Sequence, residues 1–171
     1  MLSTVCFANY RIEPGTKLRT LVEVPHTLNA IPVTFINGKY DGPTVLVTSG
    51  VHGSEYPGIA ASMELGKELN PEDIHGCLVI MHPVNVSAFW ARMAEICPED
   101  GLNLNRVFPG NSTFSRTYKL ADFLLPLLCY LITVLIKQDR AVQCNRTVVL
   151  VNLDFDTFIV ESLFQSIKCT L

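Results

Sequence analysis

The chain holds 171 residues, 49% hydrophobic and 17% charged, with a formal net charge of -3. That balance excludes a disordered segment, which could not bury enough apolar surface to fold, and it leaves no basic field or Lys/Arg stripe for nucleic acid. Six cysteines, at 6, 77, 97, 129, 144 and 169, stand far apart without a CxxC pair and are expected as reduced, buried thiols.

The opening residues, MLSTVCFANYRIEPGTK, lack a basic stretch followed by an apolar core, which predicts no secretory signal and a cytoplasmic protein. In that setting the glycosylation sequons at Asn85, Asn111 and Asn145 are expected to be chance matches. LRTLVEV (18–24) and IPVTFI (31–36) alternate or run β-branched, as strands do. Asn37-Gly38 follows at once and predicts a hairpin turn. TVLVTS (44–49) is then a short apolar strand of the kind covered on both faces. Pro57 suits the first turn of a helix, and GIAASMELGKEL (58–69) places Ile59, Met63 and Leu69 near one face. NPED (70–73) reads as a turn and CLVIMHPV (77–84) as the next buried strand. Strand, crossover helix and strand form a βαβ unit, so the expected fold is α/β, a mixed, mainly parallel sheet flanked by helices.

The rest of the chain differs in composition. All ten glycines and nine of the ten prolines fall in residues 1–110. RTYKLADFLLPLL reads as a helix broken at Pro126, and TVVLVNLDF (147–155) as a strand. The apolar run FLLPLLCYLITVLI (123–136) has 14 residues. A membrane span needs about 18 or more, so a buried helix or strand is expected and no membrane partner.

Chemistry concentrates in GVHGSEYPG (50–58), just past the carboxyl end of a buried strand, where sites gather in open α/β sheets. His52 and Glu55 offer an imidazole nitrogen and a carboxylate oxygen, both zinc donors, and Gly50 and Gly53 let the backbone aim them together. The plainer alternative is a loop whose Ser54 or Glu55 caps the following helix. A second cluster, ARMAEICPEDGLNLNRVFPG (91–110), carries Arg92, Asp100, Asn103, Asn105 and Arg106. Arginine forks beside an asparagine suit a substrate with a free carboxylate, whereas isolated they would be loop-bracing or surface residues.

Together, G-x-H-G-x-E-x-P-G, a buried strand ending in PVN, AFWAR and DGLNLNRVFPG resemble the succinylglutamate desuccinylase/aspartoacylase family of the zinc carboxypeptidase-like superfamily. The resemblance covers roughly residues 20–122. It implies a zinc-carboxypeptidase-like fold, zinc as cofactor, and hydrolysis of amide bonds in N-acyl amino acids or related small amides. It assigns His52 and Glu55 as two of three zinc ligands. It assigns Arg92 as the residue that polarises the scissile carbonyl. Asn105 and Arg106 become the pair that binds the terminal carboxylate of a small substrate. A glutamate general base and a third, histidine ligand are implied downstream.

The chain departs from that pattern. Its histidines stand at 26, 52, 75 and 82, none after NLNR, and Glu161 is the only glutamate after Glu99. His82 ends a strand near enough to be weighed as a substitute ligand, against a packed or hydrogen-bonded role; His26 and His75 are expected in solvent. Residues 1–122 are thus expected as the N-terminal part of a zinc hydrolase-like domain, and 123–171 as a truncated or diverged tail that forms no separate domain. Three readings stay open: a zinc-dependent deacylase, an inactive remnant that binds carboxylates, and a zinc carboxypeptidase acting on peptides.

Overall fold

A computed structural model describes residues 5–7, 9–126 and 148–152, with β1 (Val5–Phe7) and β7 (Val148–Asn152) described by their backbone. β1 pairs with β2 (Tyr10–Ile12) in a small antiparallel ribbon. The main sheet has five strands: β3 (Thr16–Glu23), β4 (Ala30–Asn37), β6 (His75–Met81), β5 (Tyr40–Thr48) and β7, in that spatial order. β3/β4 and β4/β6 pair antiparallel, whereas β5/β6 and β5/β7 pair parallel. The sheet is mixed, as expected, with two antiparallel and two parallel pairs among the described residues.

Strand alternation sorts the core into two layers. Cys77, Val79 and Met81 of β6, with Phe35 and Leu46, face one side; Leu78 and Ile80, with Val45 and Val47, face the other. Helix α1 (Tyr56–Glu68) crosses from β5 to β6 and covers the second side through Leu65, with Leu69 just past its end. A helix over residues 116–126, α3, covers the first side through Leu120, Ala121 and Leu124. Burying each such leucine contributes about 1.5–3 kcal/mol.

Two expectations change. Asn37-Gly38 does not close a hairpin between β4 and β5, because β6 lies between them. Gly38 instead donates its N–H to the Gly76 carbonyl at 2.7 Å, and a β-carbon there would strike the Ile74 carbonyl oxygen at 2.0 Å. The glycine serves close approach to the start of β6. Met63 is 51% exposed, while Ile59, Ser62, Leu65 and Gly66 form the buried face of α1. Small residues belong there because the helix lies close on the sheet: Ser62 Oγ meets Ser49 Oγ at 2.7 Å, and Gly66 packs on Thr34.

Pro57 sits in the first turn of α1, and Pro71–Asp73 form a 3-10 turn. Cys77 and Cys97 are free and buried, as expected. Residues 127–147 and 153–171 lie outside the described residues, and with them most of the 123–136 run and Glu161. Among the described residues no helix is long and apolar enough to cross a membrane.

Candidate functional site

The parallel half of the sheet positions the site. β5 and β6 end side by side, with Thr48 opposite Met81. The loops that follow them are stitched together: Ser49 N–H donates to Met81 O, Val84 N–H to Ser49 O, and Asn85 N–H to Gly50 O. Gly50 turns at φ +68°, and a β-carbon on it would meet Pro83 at 2.5 Å. Only glycine tolerates both the left-handed backbone and that contact.

His52 and Glu55 converge. His52 Nδ1 lies 2.7 Å from Glu55 Oε1, and the His52 backbone N–H donates to Glu55 Oε2 at 2.9 Å. Glu55 is the residue before α1, yet its side chain makes no capping bond to the helix. Its carboxylate folds back over the loop instead, and each side chain is 19% exposed. Ser54 Oγ donates to the Ala94 carbonyl, so it does not cap α1 either.

The far nitrogen of the ring meets the second motif. His52 Nε2 is 3.3 Å from Asn103 Oδ1 and 3.4 Å from Asn105 Nδ2. One asparagine offers an acceptor and the other a donor to the same nitrogen, so either neutral tautomer finds a partner there. Asn103 also accepts the Asn105 N–H at 2.9 Å and starts the 3-10 turn Leu104–Arg106. Leu104, fully buried, and Val107 root that turn in the core and leave Asn105 and Arg106 exposed.

Arg92 follows the short helix α2 (Val86–Trp90) and sits at φ +54°. A side-chain-bearing residue held there costs about 1–3 kcal/mol, and such positions cluster at functional sites. Arg92 N–H to Phe89 O and Met93 N–H to Ala88 O hold it on both sides. Gly53 packs directly on this segment: a β-carbon there would lie 2.3 Å from the Ala88 carbonyl and 2.7 Å from Met93 O. The backbone of Arg92 is therefore next to the His52–Glu55 loop, and Arg106 is one residue from Asn105. Neither arginine forms a side-chain ion pair with a described residue.

Other polar residues brace the site. Asp100 accepts from Thr117 N–H at 2.9 Å, Thr117 Oγ1 at 2.6 Å and Leu102 N–H at 3.2 Å. Burial raises its pKa, but these bonds, led by Thr117, outweigh it and hold the carboxyl below its ordinary value. Arg116, at the start of α3, pairs with Glu99 and donates to Ser87.

The remaining histidines are elsewhere. His82 Nε2 meets Thr34 Oγ1 at 2.9 Å and lines a separate groove with Arg19 and Met63. The packed, hydrogen-bonded alternative holds for it. His75 stacks on Tyr40, with ring centroids 4.6 Å apart, and His26 is exposed in the β3–β4 loop. No group of three His, Cys, Asp or Glu side chains placed to hold a metal occurs among the described residues. His52 and Glu55 have the donor chemistry for a transition-metal ion, two donors where catalytic zinc sites usually take three from the protein.

Sequence reading gave no site role to two residues. Asn103 touches the His52 ring, and its signal was the two-residue spacing to Asn105, typical of an asparagine that caps its own turn. Asn85, fully buried, links the two loops; its position at the end of PVN was the only hint.

Comparison with known proteins follows the same residues. The chain matches the family described as Succinylglutamate desuccinylase/Aspartoacylase catalytic domain over residues 41–128, just over half its length. It is 43% identical over 98 residues to N-alpha-acetyl-L-2,4-diaminobutyric acid deacetylase of Halomonas elongata. That alignment takes in 57% of this chain and 28% of the relative, so the chain spans little more than a quarter of that enzyme. A succinylglutamate desuccinylase/aspartoacylase from Rhodobacter sphaeroides superposes with a TM-score of 0.53 at 39% identity, over 56% of this chain and 29% of that one. The ectoine utilization protein EutE of Ruegeria pomeroyi, in a product-bound structure, gives a TM-score of 0.58 at 35% identity, over 63% and 35%. The matched span takes in His52, Glu55, Arg92, Asn103, Asn105 and Arg106, and by it the chain belongs to the succinylglutamate desuccinylase/aspartoacylase family.

Proposed function

We propose that this chain carries the metal-loop and substrate-carboxylate half of a zinc-dependent hydrolase that removes an acyl group from an N-acylated amino acid. The observation that carries the reading is the junction at His52, where Nδ1 meets Glu55 and Nε2 meets the Asn103–Asn105 turn. Metal loop and substrate loop thereby form one site. The deacylase names of the relatives support the reaction class.

In this reading His52 and Glu55 hold the zinc, which when bound supplies a Lewis acid for the amide carbonyl and a more acidic water. Arg92 places its guanidinium at the carbonyl oxygen, where negative charge grows as the amide carbon becomes tetrahedral. Asn105 and Arg106 grip the substrate's terminal carboxylate, the arginine through a two-bond fork and the asparagine through its amide. That grip fixes the distance from carboxylate to scissile carbonyl and so selects short substrates.

A second reading, a carboxylate binder without hydrolysis, draws on the engagement of His75 with Tyr40 and of His82 with Thr34. Equilibrium dialysis against zinc, with acetate release from an N-acetylated diamino acid measured in parallel, separates the two. Zinc uptake that falls in both His52→Ala and Glu55→Gln supports the metal assignment. Uptake unchanged in both overturns it. Binding of the N-acyl amino acid with no acetate release favours the second reading.

A further inference from the structure

We propose that Asn85 is the positioning residue that sets how the His52–Glu55 loop lies against the loops of Arg92 and Asn105–Arg106. The inference rests on the roles proposed for those residues. Asn85 has no exposed surface. Its backbone N–H donates to Gly50 O at 3.0 Å and its Nδ2 to Val51 O at 3.2 Å. These are the two carbonyls directly before His52. Its Oδ1 accepts from Ala88 N–H at 3.4 Å, which caps α2, the helix that leads into Arg92. Its Nδ2 also reaches Cys97 Sγ at 3.1 Å. Cys97 in turn donates its N–H to Leu102 O at 2.8 Å, at the threshold of the Asn103–Arg106 turn. Three segments bearing the three parts of the site meet on one side chain.

The chemistry of the position selects asparagine. It needs an N–H donor for Val51 O and an acceptor for the cap on one planar group, and the Cys97 thiol meets both ends of that amide, at 3.1 Å from Nδ2 and 3.5 Å from Oδ1. Aspartate keeps the acceptor and the shape but presents no N–H. Serine keeps a cap but falls short of Val51. Apolar residues of similar size would leave the half-buried carbonyl of Val51 without that donor. Nothing in the contacts places Asn85 against a substrate, so it acts through the residues it holds.

The test is amide hydrogen exchange on the full chain, wild type against Asn85→Asp and Asn85→Ser, with thermal unfolding alongside. In both variants the His52 and Asn105 amides are expected to exchange about tenfold faster or more, while those of Ile36, Leu78 and Ile80 in the sheet keep their rates. The Ala88 amide should stay protected in Asn85→Ser, which retains the cap. Uniform acceleration of all amides, or unchanged His52 and Asn105 amides beside a lowered Tm, would overturn the proposal. A second measurement needs no variant: in the wild-type chain the Asn85 side-chain amide protons should exchange as slowly as the His52 amide, and fast exchange there overturns it too. Zinc uptake by the wild-type chain reports separately on the ligand assignment. A chain whose zinc uptake is unchanged in His52→Ala and Glu55→Gln yet shows the localised exchange has the positioning right and the ligands wrong.

Discussion

Gly53 lies so close to Ala88 that a β-carbon would come within 2.3 Å of the Ala88 carbonyl carbon and oxygen. This contact, backbone on backbone, seats the His52–Glu55 loop against the segment that carries Arg92. Gly53→Ala must push one of them away, because neither neighbour is a flexible side-chain end. We expect a loss of about 1–3 kcal/mol in urea unfolding, the usual cost of forcing extra volume into a packed region. The Met93 amide, which bonds Ala88 O, should lose protection in the same variant. A Gly53→Ala chain as stable as wild type would show that the two segments separate freely.

The placement of the histidines leads to a second expectation. Among the described residues His52 is the imidazole in contact with Glu55, and no group of three His, Cys, Asp or Glu side chains is placed to hold a metal. The chain as given should therefore bind zinc far more weakly than a site with three protein ligands. Loss of a supporting partner alone typically costs 10–100-fold in metal affinity, so a missing direct ligand should cost roughly 100-fold or more. Competition against a chromophoric chelator, with the full-length Halomonas deacetylase as reference, measures the difference. Equal affinities would mean that this chain supplies a third ligand of another kind.

Arg106 should act in binding more than in chemistry. In a full-length active relative, alanine at the position matching Arg106 should raise KM by roughly 10–100-fold, the worth of charge-assisted hydrogen bonds, with kcat changed much less. Alanine at the position matching Arg92 should do the reverse, lowering kcat. An unchanged KM in the first variant would remove Arg106 from the carboxylate site.

Acid should destabilise the fold through His82. Burial, with the Arg19 charge second, pushes its imidazole down from 6.5 to about 4. Between those values the unfolded chain takes up a proton that the folded chain refuses, so stability rises with pH across that window. The contribution is complete above pH 6.5 and lost as pH falls toward 4. His82→Gln should flatten the pH dependence of Tm between those two values, whatever it does to Tm at neutral pH. Curves that stay parallel would assign the acid sensitivity to another group.

The sequence by itself determined strands β3 to β6, the crossover helix and the family. β3 to β6 were legible because period-two alternation and β-branched runs are local properties of the chain. His52, Glu55, Arg92, Asn105 and Arg106 stood out as candidates because their chemistry and spacing resemble one family's pattern, and all five lie in the span that matches that family. Tertiary structure alone decided which strands pair, since Asn37-Gly38 carries a local turn signal whereas pairing depends on β6, nearly 40 residues later, inserting between β4 and β5. The helix face was likewise settled by distance to the sheet: Ser62 and Gly66 win the buried positions over Met63 because close approach favours small side chains. The junctions made by Asn103 at the His52 ring and by Asn85 at Val51 and Cys97 span from 12 to 51 residues of sequence. An asparagine advertises only its own turn locally, and whatever else its amide reaches is fixed by which loops the folded sheet sets side by side.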